Sequence, residues 1–288
     1  MKIAVTGSNG FTGRFFTAAA ITAGHEITPI LSDLNDSAGL KQELHAANPD
    51  ALVHLAAISF VGHADEEAFY KVNVIGTMNV LSALCSLHRP VKKVLLASSA
   101  NIYGNSAHSP IAEDQLPAPV NHYAMSKLAM EHMARTYADR LPLVITRPFN
   151  YTGPGQAPNF VIPKIVSQFR ERRPTIELGN IHVEREFNDI RMIGAAYLAL
   201  LQYGQAAETY NICTGKTYNL QSVIAQLSQM TGHTLAIHIN PAFVRANEVH
   251  RLCGNPSKLH ACMNNHGVDL PTPDLAETLN WMLREDAS

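Results

Sequence analysis

The first 23 residues constrain the fold more than any other part of this 288-residue chain. Lys2–Thr6 is a short apolar run that predicts a buried strand, and it leads into a turn with glycines at Gly7, Gly10 and Gly13. A helical pattern follows over residues 14–23. A strand, a glycine turn and a helix in this order leave the helix N-terminal amides facing a bound phosphate. The alternative interpretation is an ordinary glycine-rich connection.

Apolar strand patterns continue to alternate with helical patterns, which predicts βαβ units and a parallel sheet. Proline and glycine become frequent after Arg147, as expected where a chain leaves the sheet for a smaller domain. We therefore expect an α/β fold, with a Rossmann-like doubly wound parallel sheet in residues 1–152 and 186–215. A smaller C-terminal α/β substrate-binding domain would comprise residues 153–185 and 216–288. The patterns predict strands at 26–31, 51–55, 94–96, 144–146 and 209–212, and helices at 38–47, 66–87 and 122–140.

Composition excludes several classes of function. The 22 basic and 24 acidic residues nearly balance, which gives no electrostatic reason to expect nucleic acid or an anionic membrane surface as partner. No run reaches the roughly 18 apolar residues of a membrane helix. The 14 histidines have no metal-ligand spacing, and the four cysteines form no Cys-x-x-Cys pair. We expect a cytoplasmic protein with reduced thiols, no metal and no membrane span.

Tyr123 and Lys127 are the first candidates for chemistry. They are four residues apart in a helical pattern, so both side chains can reach the same small volume. A nearby ammonium favours the phenolate, and we expect Lys127 to lower the pKa of Tyr123. The alternative is an amphipathic helix with a surface lysine.

Ser99 is the third candidate. It follows the apolar run Val94–Leu96, so it lies at the carboxyl end of a predicted parallel strand, where ligands of such sheets bind. Its hydroxyl could hold the carbonyl oxygen that the phenol protonates. A helix cap or a turn former is the alternative role for a serine at this position.

Together these segments resemble the extended short-chain dehydrogenase/reductase superfamily, in its nucleotide-sugar branch. The series is most similar to GDP-4-keto-6-deoxy-D-mannose reductases and GDP-mannose 4,6-dehydratases, and it covers nearly the whole chain. Further segments that carry the resemblance are 54–57 (HLAA), 72–77 (VNVIGT), 147–150 (RPFN), 153–155 (GPG), 179–181 (GNI), 185–189 (REFND), 245–249 (RANEV) and 254–258 (GNPSK).

The resemblance implies NADPH or NADH as cofactor, and it does not decide between them. Asp33 resembles a residue that contacts adenine, which is the favoured role, although its distance from Gly13 also suits an acid that binds the ribose of NAD. Arg14 could reach a 2'-phosphate. Implied cofactor contacts are Gly7, Asn9, Gly10, Phe11, Thr12, Gly13, Asp33, Leu34, Leu55, Ala56, Ala57, Asn73, Ala97, Tyr123, Lys127 and Pro148.

Asn101 favours simple carbonyl reduction over the other reactions of these relatives. The resemblance places a glutamate general base at this position in 4,6-dehydratases, and an amide cannot remove a proton near neutrality. Epimerase-reductases of the branch have a cysteine there and a histidine before Val-Ile-Pro, where this chain has Phe160. The implied reaction uses Tyr123 as proton donor, Ser99 as oxygen ligand and Lys127 as ribose ligand.

The implied substrate is a GDP-linked 4-keto-6-deoxy sugar. Arg185 and Arg245 offer guanidinium groups suited to a pyrophosphate, and Glu248 could bind ribose hydroxyls. The alternative for both arginines is a surface charge. Other implied substrate contacts are Asn101, Asn150, Phe160, Val161 and Asn180.

The resemblance also implies a homodimer that pairs the helices at 66–87 and 122–140. Two alternative functions stay open at this point. One is a nucleotide-sugar 4-epimerase with tightly bound NAD. The other is a non-catalytic dinucleotide sensor on the same fold.

Overall fold

A computed structural model of the chain describes residues 1–244 and 249–285. Its strands are β1 Lys2–Thr6, β2 Glu26–Ile30, β3 Ala51–His54, β4 Lys93–Ala97, β5 Leu143–Pro148, β6 Tyr151–Thr152, β7 Thr175–Leu178, β8 Glu184–Arg185, β9 Asn188–Asp189, β10 Thr209–Ile212, β11 Ala236–Ile239 and β12 Arg251–Leu252. Its α-helices are α1 Phe11–Thr22, α2 Ser37–Ala47, α3 Glu66–Tyr70, α4 Thr77–Cys85, α5 His122–Arg135, α6 Val161–Arg170, α7 Ile190–Tyr203, α8 Leu220–Thr231, α9 Ser257–Asn265 and α10 Leu275–Arg284.

Six strands form one parallel sheet in the order β10-β5-β4-β3-β1-β2. Because β1 lies between β2 and β3, the chain first extends the sheet in one direction and then crosses to the other side of β1. Ligands of open α/β sheets bind beyond the carboxyl ends of the strands at such a reversal. The predicted Rossmann-like doubly wound fold is confirmed, and the reversal lies beside the glycine turn.

The edge strand β2 contains Pro29, which pairs in register with Val5 of β1. Proline cannot donate a backbone hydrogen bond, so it is tolerated in a sheet where its nitrogen faces away from the neighbouring strand. The edge position of β2 explains why a proline does not interrupt this strand.

Alternate residues of the central strands point to opposite faces of the sheet, as the pleat requires. Ile3 and Val5 lie in a core with residues of α1 and α7, whereas Ala4 lies in a core with residues of α2, α4 and α5. Both faces of the sheet are therefore covered by helices. The strands are buried on both sides and carry the site residues at fixed positions.

A smaller core lies between α6, α8 and α10, with Ile165, Phe169, Val223 and Leu279 among its buried residues. All of them fall within the ranges predicted for the smaller domain. Helix α9 also lies within the range predicted for the smaller domain, but its Leu259 packs in the core beside α7. The division of the chain into domains at residue 216 stays a prediction.

The helix predicted over residues 66–87 is divided in the structure. Helix α3 passes into a π-helical turn at Lys71–Gly76 before α4 begins. A π turn contains one extra residue and occurs where another interaction competes with the regular helix. Here the side chain of Asn73 bonds to the loop after β3, and Gly76 packs against Leu34, where an added Cβ would lie 2.6 Å from the Leu34 Cβ.

Helix α5 ends at Arg135, five residues before the predicted boundary, and turns continue to residue 140. Among the described residues, none of the helices is long and apolar enough to span a lipid bilayer.

Candidate active site

The glycine turn after β1 has the geometry that dinucleotide binding requires. Gly7 has a φ of 70°, and a Cβ there would lie 2.6 Å from the backbone nitrogen of Ala56. A Cβ at Gly13 would lie 2.1 Å from the Gly7 carbonyl oxygen. The N-cap residue of α1 is Gly10, which has no side chain to cap the first amides. These amides face the reversal of the sheet and can bind a pyrophosphate.

Two buried hydroxyl groups beside this turn also fit a bound cofactor. Within residues 1–244 and 249–285, the Oγ atoms of Ser8 and Ser98 are buried without a hydrogen-bond partner. Ser8 belongs to the glycine turn, and Ser98 follows β4 at the same edge of the sheet. Buried polar groups in proteins are normally paired, so two unpaired donors at one edge indicate a place for a polar ligand.

The other predicted cofactor residues occupy the same edge of the sheet. Leu55, Ala56 and Ala57 follow β3 and are half-buried, Ala97 ends β4, and Pro148 ends β5. The glycine turn contributes Asn9, which is exposed, and Phe11 and Thr12 at the start of α1. Asp33 is exposed after β2, whereas Leu34 is buried.

The three residues predicted to be catalytic meet beyond the end of β4. Ser99, Tyr123 and Lys127 are 4%, 7% and 6% exposed, and Tyr123 shares a side-chain hydrogen bond with Ser99. Lys127 donates its Nζ to the Ala97 carbonyl oxygen at 2.8 Å. Asn121 caps α5 by accepting from the Ala124 amide at 2.9 Å, which fixes Tyr123 in the first turn. Two elements thus bring the predicted groups together.

Burial sets the protonation of these groups. Burial raises the pKa of Tyr123 to about 12, although the hydrogen bond from Ser99 opposes this shift. Burial lowers the pKa of Lys127 to about 8, against the attraction of Glu131. The expected lowering of the Tyr123 pKa by Lys127 is therefore not found. A phenol with a raised pKa stays protonated at neutral pH, which suits a proton donor.

Asn101 contacts Ser99 directly. Its backbone nitrogen and its Nδ2 both donate to the Ser99 Oγ, each at 3.2 Å. Since the serine oxygen accepts two hydrogen bonds, its own hydrogen is available to donate toward Tyr123 or a ligand oxygen. The amide at this position therefore orients the hydroxyl group and offers no base.

Asn73 holds α5 from the π turn. Its Oδ1 accepts from the Ile58 amide at 3.0 Å, and its Nδ2 donates to the Ile58 carbonyl at 3.1 Å and to the Ser126 Oγ at 3.0 Å. Ser126 in turn donates to the Tyr123 carbonyl oxygen at 2.8 Å. These bonds use both donor hydrogens and one of the two acceptor positions of the Asn73 amide, so the side chain positions α5 and the loop after β3 in this structure.

A buried ion pair near Lys127 was not predicted from the sequence. Glu131 and Arg147 pair bidentately, with N–O distances of 3.0 and 2.7 Å, and Arg147 also donates to the Tyr103 hydroxyl at 2.8 Å. Tyr103 donates to the Asn211 side chain at 2.8 Å. Glu131 is four residues beyond Lys127, and this spacing was the available signal.

Tyr151 is a second residue that sequence reasoning missed. Its hydroxyl lies 2.7 Å from the Thr12 Oγ1, and its ring stacks on Phe11 with centroids 6.1 Å apart. Tyr151 is close enough to Tyr123 to contribute to the raised pKa of that phenol. It links the glycine turn to the catalytic residues across the sheet edge.

The predicted substrate residues lie on more open segments. Phe160 is half-buried and meets Phe60 edge-to-face with centroids 5.8 Å apart. Asn180 accepts from the His182 amide at 3.0 Å within a turn. Arg185 donates to the backbone oxygens of residues 184, 249 and 250. Asn150 and Val161 are half-buried, and Arg245 and Glu248 lie outside the described residues.

Comparison with known proteins places this site in a family. Residues 25–264 match the family described as GDP-mannose 4,6 dehydratase. The chain is 36% identical over 275 residues to a GDP-6-deoxy-D-talose 4-dehydrogenase of Aggregatibacter actinomycetemcomitans, covering 92% of each chain. It is 33% identical to a GDP-6-deoxy-D-mannose reductase of Pseudomonas aeruginosa, covering 90% of each.

Solved structures share the architecture. A provisionally assigned epimerase from Burkholderia cenocepacia J2315 superposes with a TM-score of 0.91 at 42% identity, covering 98% of this chain and 96% of that one. RMD from Pseudomonas aeruginosa, solved with NADPH, superposes with a TM-score of 0.89 at 30% identity and covers 98% of both chains. The chain therefore belongs to the GDP-mannose 4,6-dehydratase family of extended short-chain dehydrogenase/reductases and is an NAD(P)-dependent oxidoreductase.

Proposed function

We propose that this protein reduces the 4-keto group of a GDP-linked 4-keto-6-deoxy sugar with NADPH or NADH. The product would be a GDP-rhamnose-type, GDP-6-deoxytalose-type or GDP-6-deoxyheptose-type nucleotide sugar. The observation that carries the proposal is the arrangement of Ser99, Asn101 and Tyr123, which forms a hydrogen-bond donor site beside a dinucleotide fold and contains no carboxylate base.

The protein's own groups supply the proton and the orientation. Tyr123, protonated because burial raises its pKa, donates H⁺ to the carbonyl oxygen, and Ser99 donates a hydrogen bond to the same oxygen. Lys127, held by the Ala97 carbonyl, would bind the nicotinamide ribose. The bound reduced nicotinamide supplies the hydride. Together the two transfers convert the C=O group into CH–OH, with NAD(P)⁺ released.

Asn101 separates this reaction from dehydration. Loss of water from a hexose needs a base that removes a proton next to the carbonyl, and an amide cannot accept that proton near neutrality. In this chain the amide instead donates to the Ser99 Oγ at 3.2 Å. This contact supports a site that stabilises a developing alkoxide and performs a single reduction.

The GDP part of the substrate is inferred from the relatives, and one arginine supports a pyrophosphate contact. The two curated relatives are named for GDP-linked 6-deoxy sugars. Arg185 lies on the substrate side of the site and carries a guanidinium group suited to a pyrophosphate. Asn150, Phe160, Val161, Asn180, Arg245 and Glu248 complete the proposed substrate contacts.

A homodimer through α4 and α5 belongs to the same proposal. Ile75, in the π turn before α4, is 45% exposed, and Met125 of α5 is 44% exposed. Apolar side chains at these positions suit a helix pair between two copies of the chain. Light scattering of the purified protein would give twice the chain mass if the pairing occurs.

A coupled assay tests the proposed reaction. A GDP-mannose 4,6-dehydratase generates the 4-keto sugar in the presence of this protein and NADPH or NADH, and NMR identifies the product. We expect cofactor oxidation and a single GDP-6-deoxyhexose whose C4 proton coupling gives the configuration. No product, with cofactor unchanged, would reject the GDP-rhamnose-type and GDP-6-deoxytalose-type products of the proposal. Purified protein with non-exchanging NAD that interconverts C4 epimers without added cofactor would establish the 4-epimerase instead.

A further inference from the structure

A carboxylate from α2 occupies the carboxyl end of the edge strand β2. The Oε1 of Glu43 accepts from the Leu31 amide at 2.9 Å. Its Oε2 accepts from the Ser32 amide at 2.9 Å and from the Ser32 hydroxyl at 2.7 Å. Leu31 and Ser32 directly follow the last residue of β2. Three donors at the strand end are thus already bound to an anion of the chain itself.

By the Rossmann arrangement, this position would face the adenosine half of a bound dinucleotide. In the Rossmann arrangement, the end of the strand beside the glycine turn meets the ribose, and an acidic residue there binds the 2'-hydroxyl group. In this chain β2 pairs with β1, which leads into the glycine turn. The residues at the end of β2 are Leu31 and Ser32, and neither can ionise to a carboxylate.

The carboxylate of Asp33, the next residue in the chain, is bonded within a local turn. Its Oδ1 accepts from the backbone nitrogen of Asn35 at 2.7 Å and from the Asn35 side chain at 3.0 Å. The carboxylate that contacts the strand end therefore comes from Glu43, twelve residues beyond Leu31, and not from the strand or the loop that follows it.

Glu43 is ionised and has no cationic partner among the described residues. It is half-buried, and burial raises its pKa, but the hydrogen bonds from Leu31 and Ser32 outweigh burial and lower the pKa overall. No ion pair within residues 1–244 and 249–285 includes it. Arg14, considered above for a 2'-phosphate, instead donates its Nη2 to the Gly155 carbonyl at 3.0 Å.

We infer that Glu43 is the residue that selects NADH over NADPH in this protein. Its carboxylate accepts hydrogen bonds from the three donors that a 2'-phosphate would need, and its negative charge repels a phosphate placed beside it. A carboxylate offers about four acceptor positions, and three are used here, so one is left for the 2'-hydroxyl group of NADH. The inference rests on the proposed function only in that the chain binds a dinucleotide.

Calorimetric titration with each cofactor, without any sugar substrate, tests this inference. We expect the wild-type protein to bind NADH at least about tenfold more tightly than NADPH. Glu43→Gln removes the charge and should reduce this preference by about tenfold, mainly through tighter NADPH binding. Glu26→Gln is the matched control, because Glu26 lies at the other end of β2 and is exposed. That variant should keep the wild-type ratio.

Two results would overturn the inference. One is a wild-type protein that binds NADPH as tightly as NADH or more tightly, and this comparison needs no variant to fold. The other is a Glu43→Gln protein that changes both affinities by the same factor, as expected if Glu43 only stabilises the loop. Because the titration contains no sugar, selective NADH binding without turnover of a 4-keto sugar would reject the proposed function and leave the selectivity intact.

Discussion

The candidate site has two parts that are built differently. The chemical side contains Ser99, Tyr123 and Lys127, and the substrate side contains the predicted substrate contacts such as Phe160 and Asn180. Ser99, Tyr123 and Lys127 are each less than a tenth exposed. Ser99 accepts from Asn101, Tyr123 shares a hydrogen bond with Ser99, and Lys127 donates to the Ala97 carbonyl oxygen of β4. On the substrate side, Phe160 and Asn180 are half-buried. The predicted chemical groups are pre-organised by a buried scaffold, whereas the predicted substrate contacts lie on short segments that can differ without disturbing that scaffold.

The ion pairs of the two sides show the same difference. Glu131 and Arg147, near Lys127, have side chains that are 2% and 6% exposed. Glu184 and Arg251 join β8 to β12 on the substrate side, and their side chains are 39% and 52% exposed. A pair removed from water depends on its partner far more than a pair that water can solvate.

The largest expected effect is on turnover in Tyr123→Phe. Without the phenol no group delivers the proton, so kcat should fall by a factor of about 100 to 10,000, while cofactor affinity changes little. Tyr137→Phe is the control, because it removes a hydroxyl that lies 2.8 Å from the Ser82 Oγ, in the turn that follows α5. For each variant, initial rates measure kcat and cofactor titrations measure the affinity. Similar rates for Tyr123→Phe and the wild type would contradict the assigned proton donor.

Neutralising the acidic partner of the buried ion pair should lower the free energy of unfolding more than the same change in the exposed ion pair. Glu131→Gln leaves Arg147 charged and buried, and we expect the free energy of unfolding to fall by about 3 kcal/mol or more. Glu184→Gln makes the same chemical change in the exposed pair and should alter it by less than about 1 kcal/mol. Urea unfolding of the three proteins measures the difference. Equal losses would mean that the two sides do not differ as described.

The pH dependence should follow the buried lysine. Since burial lowers the pKa of Lys127 to about 8, its charged form is present below pH 8 and is lost as the pH rises through that value. Tyr123 stays protonated over this range because its pKa is about 12. We therefore expect kcat to decline above about pH 8.

Two variants check the assignment of this decline. Lys127→Arg keeps a cation at all accessible pH values, so its decline should move to higher pH even if its maximum rate is lower. Lys93→Arg is the control, because burial also lowers the pKa of Lys93. This lysine lies on β4 and donates to the Gly204 carbonyl oxygen. A decline that moves in Lys93→Arg and not in Lys127→Arg would assign the titration to the wrong group.

The smallest effect is expected on the substrate side. Phe160→Ala removes the edge-to-face contact with Phe60 and an apolar surface for the ligand. We expect KM for the sugar nucleotide to rise by about fivefold, with kcat within about twofold of the wild type. Steady-state kinetics at saturating cofactor separate the two constants. A large fall in kcat with KM unchanged would place Phe160 with the chemical groups.

Local patterns were sufficient to predict the sheet and the meeting of Ser99, Tyr123 and Lys127 at its edge. The glycine turn, the position of Ser99 after β4 and the spacing of Tyr123 and Lys127 are short-range features, and each follows directly from strand or helix periodicity. The α/β fold was predicted for the same reason, since its strands are apolar runs of regular spacing.

Contacts between distant segments were not predictable in this way. Asn73 interrupts a periodic helix because it bonds to Ile58 and Ser126, which no local pattern specifies. Tyr103 meets Asn211 across 108 residues of sequence. Glu43 was overlooked because it lies on an ordinary amphipathic helix and becomes significant only where α2 returns to the end of β2. The raised pKa of Tyr123 likewise depends on burial, which residue spacing does not measure.

The most direct measurement is the fate of deuterium from a cofactor labelled at nicotinamide C4. The coupled assay is run with NADH or NADPH that carries deuterium on the transferred position, and the isolated GDP-sugar is analysed by NMR and mass spectrometry. The proposed function predicts one deuterium atom on C4 of the sugar, with loss of the C4 proton signal. A product labelled at another carbon, or formed without deuterium, would contradict reduction of the 4-keto group.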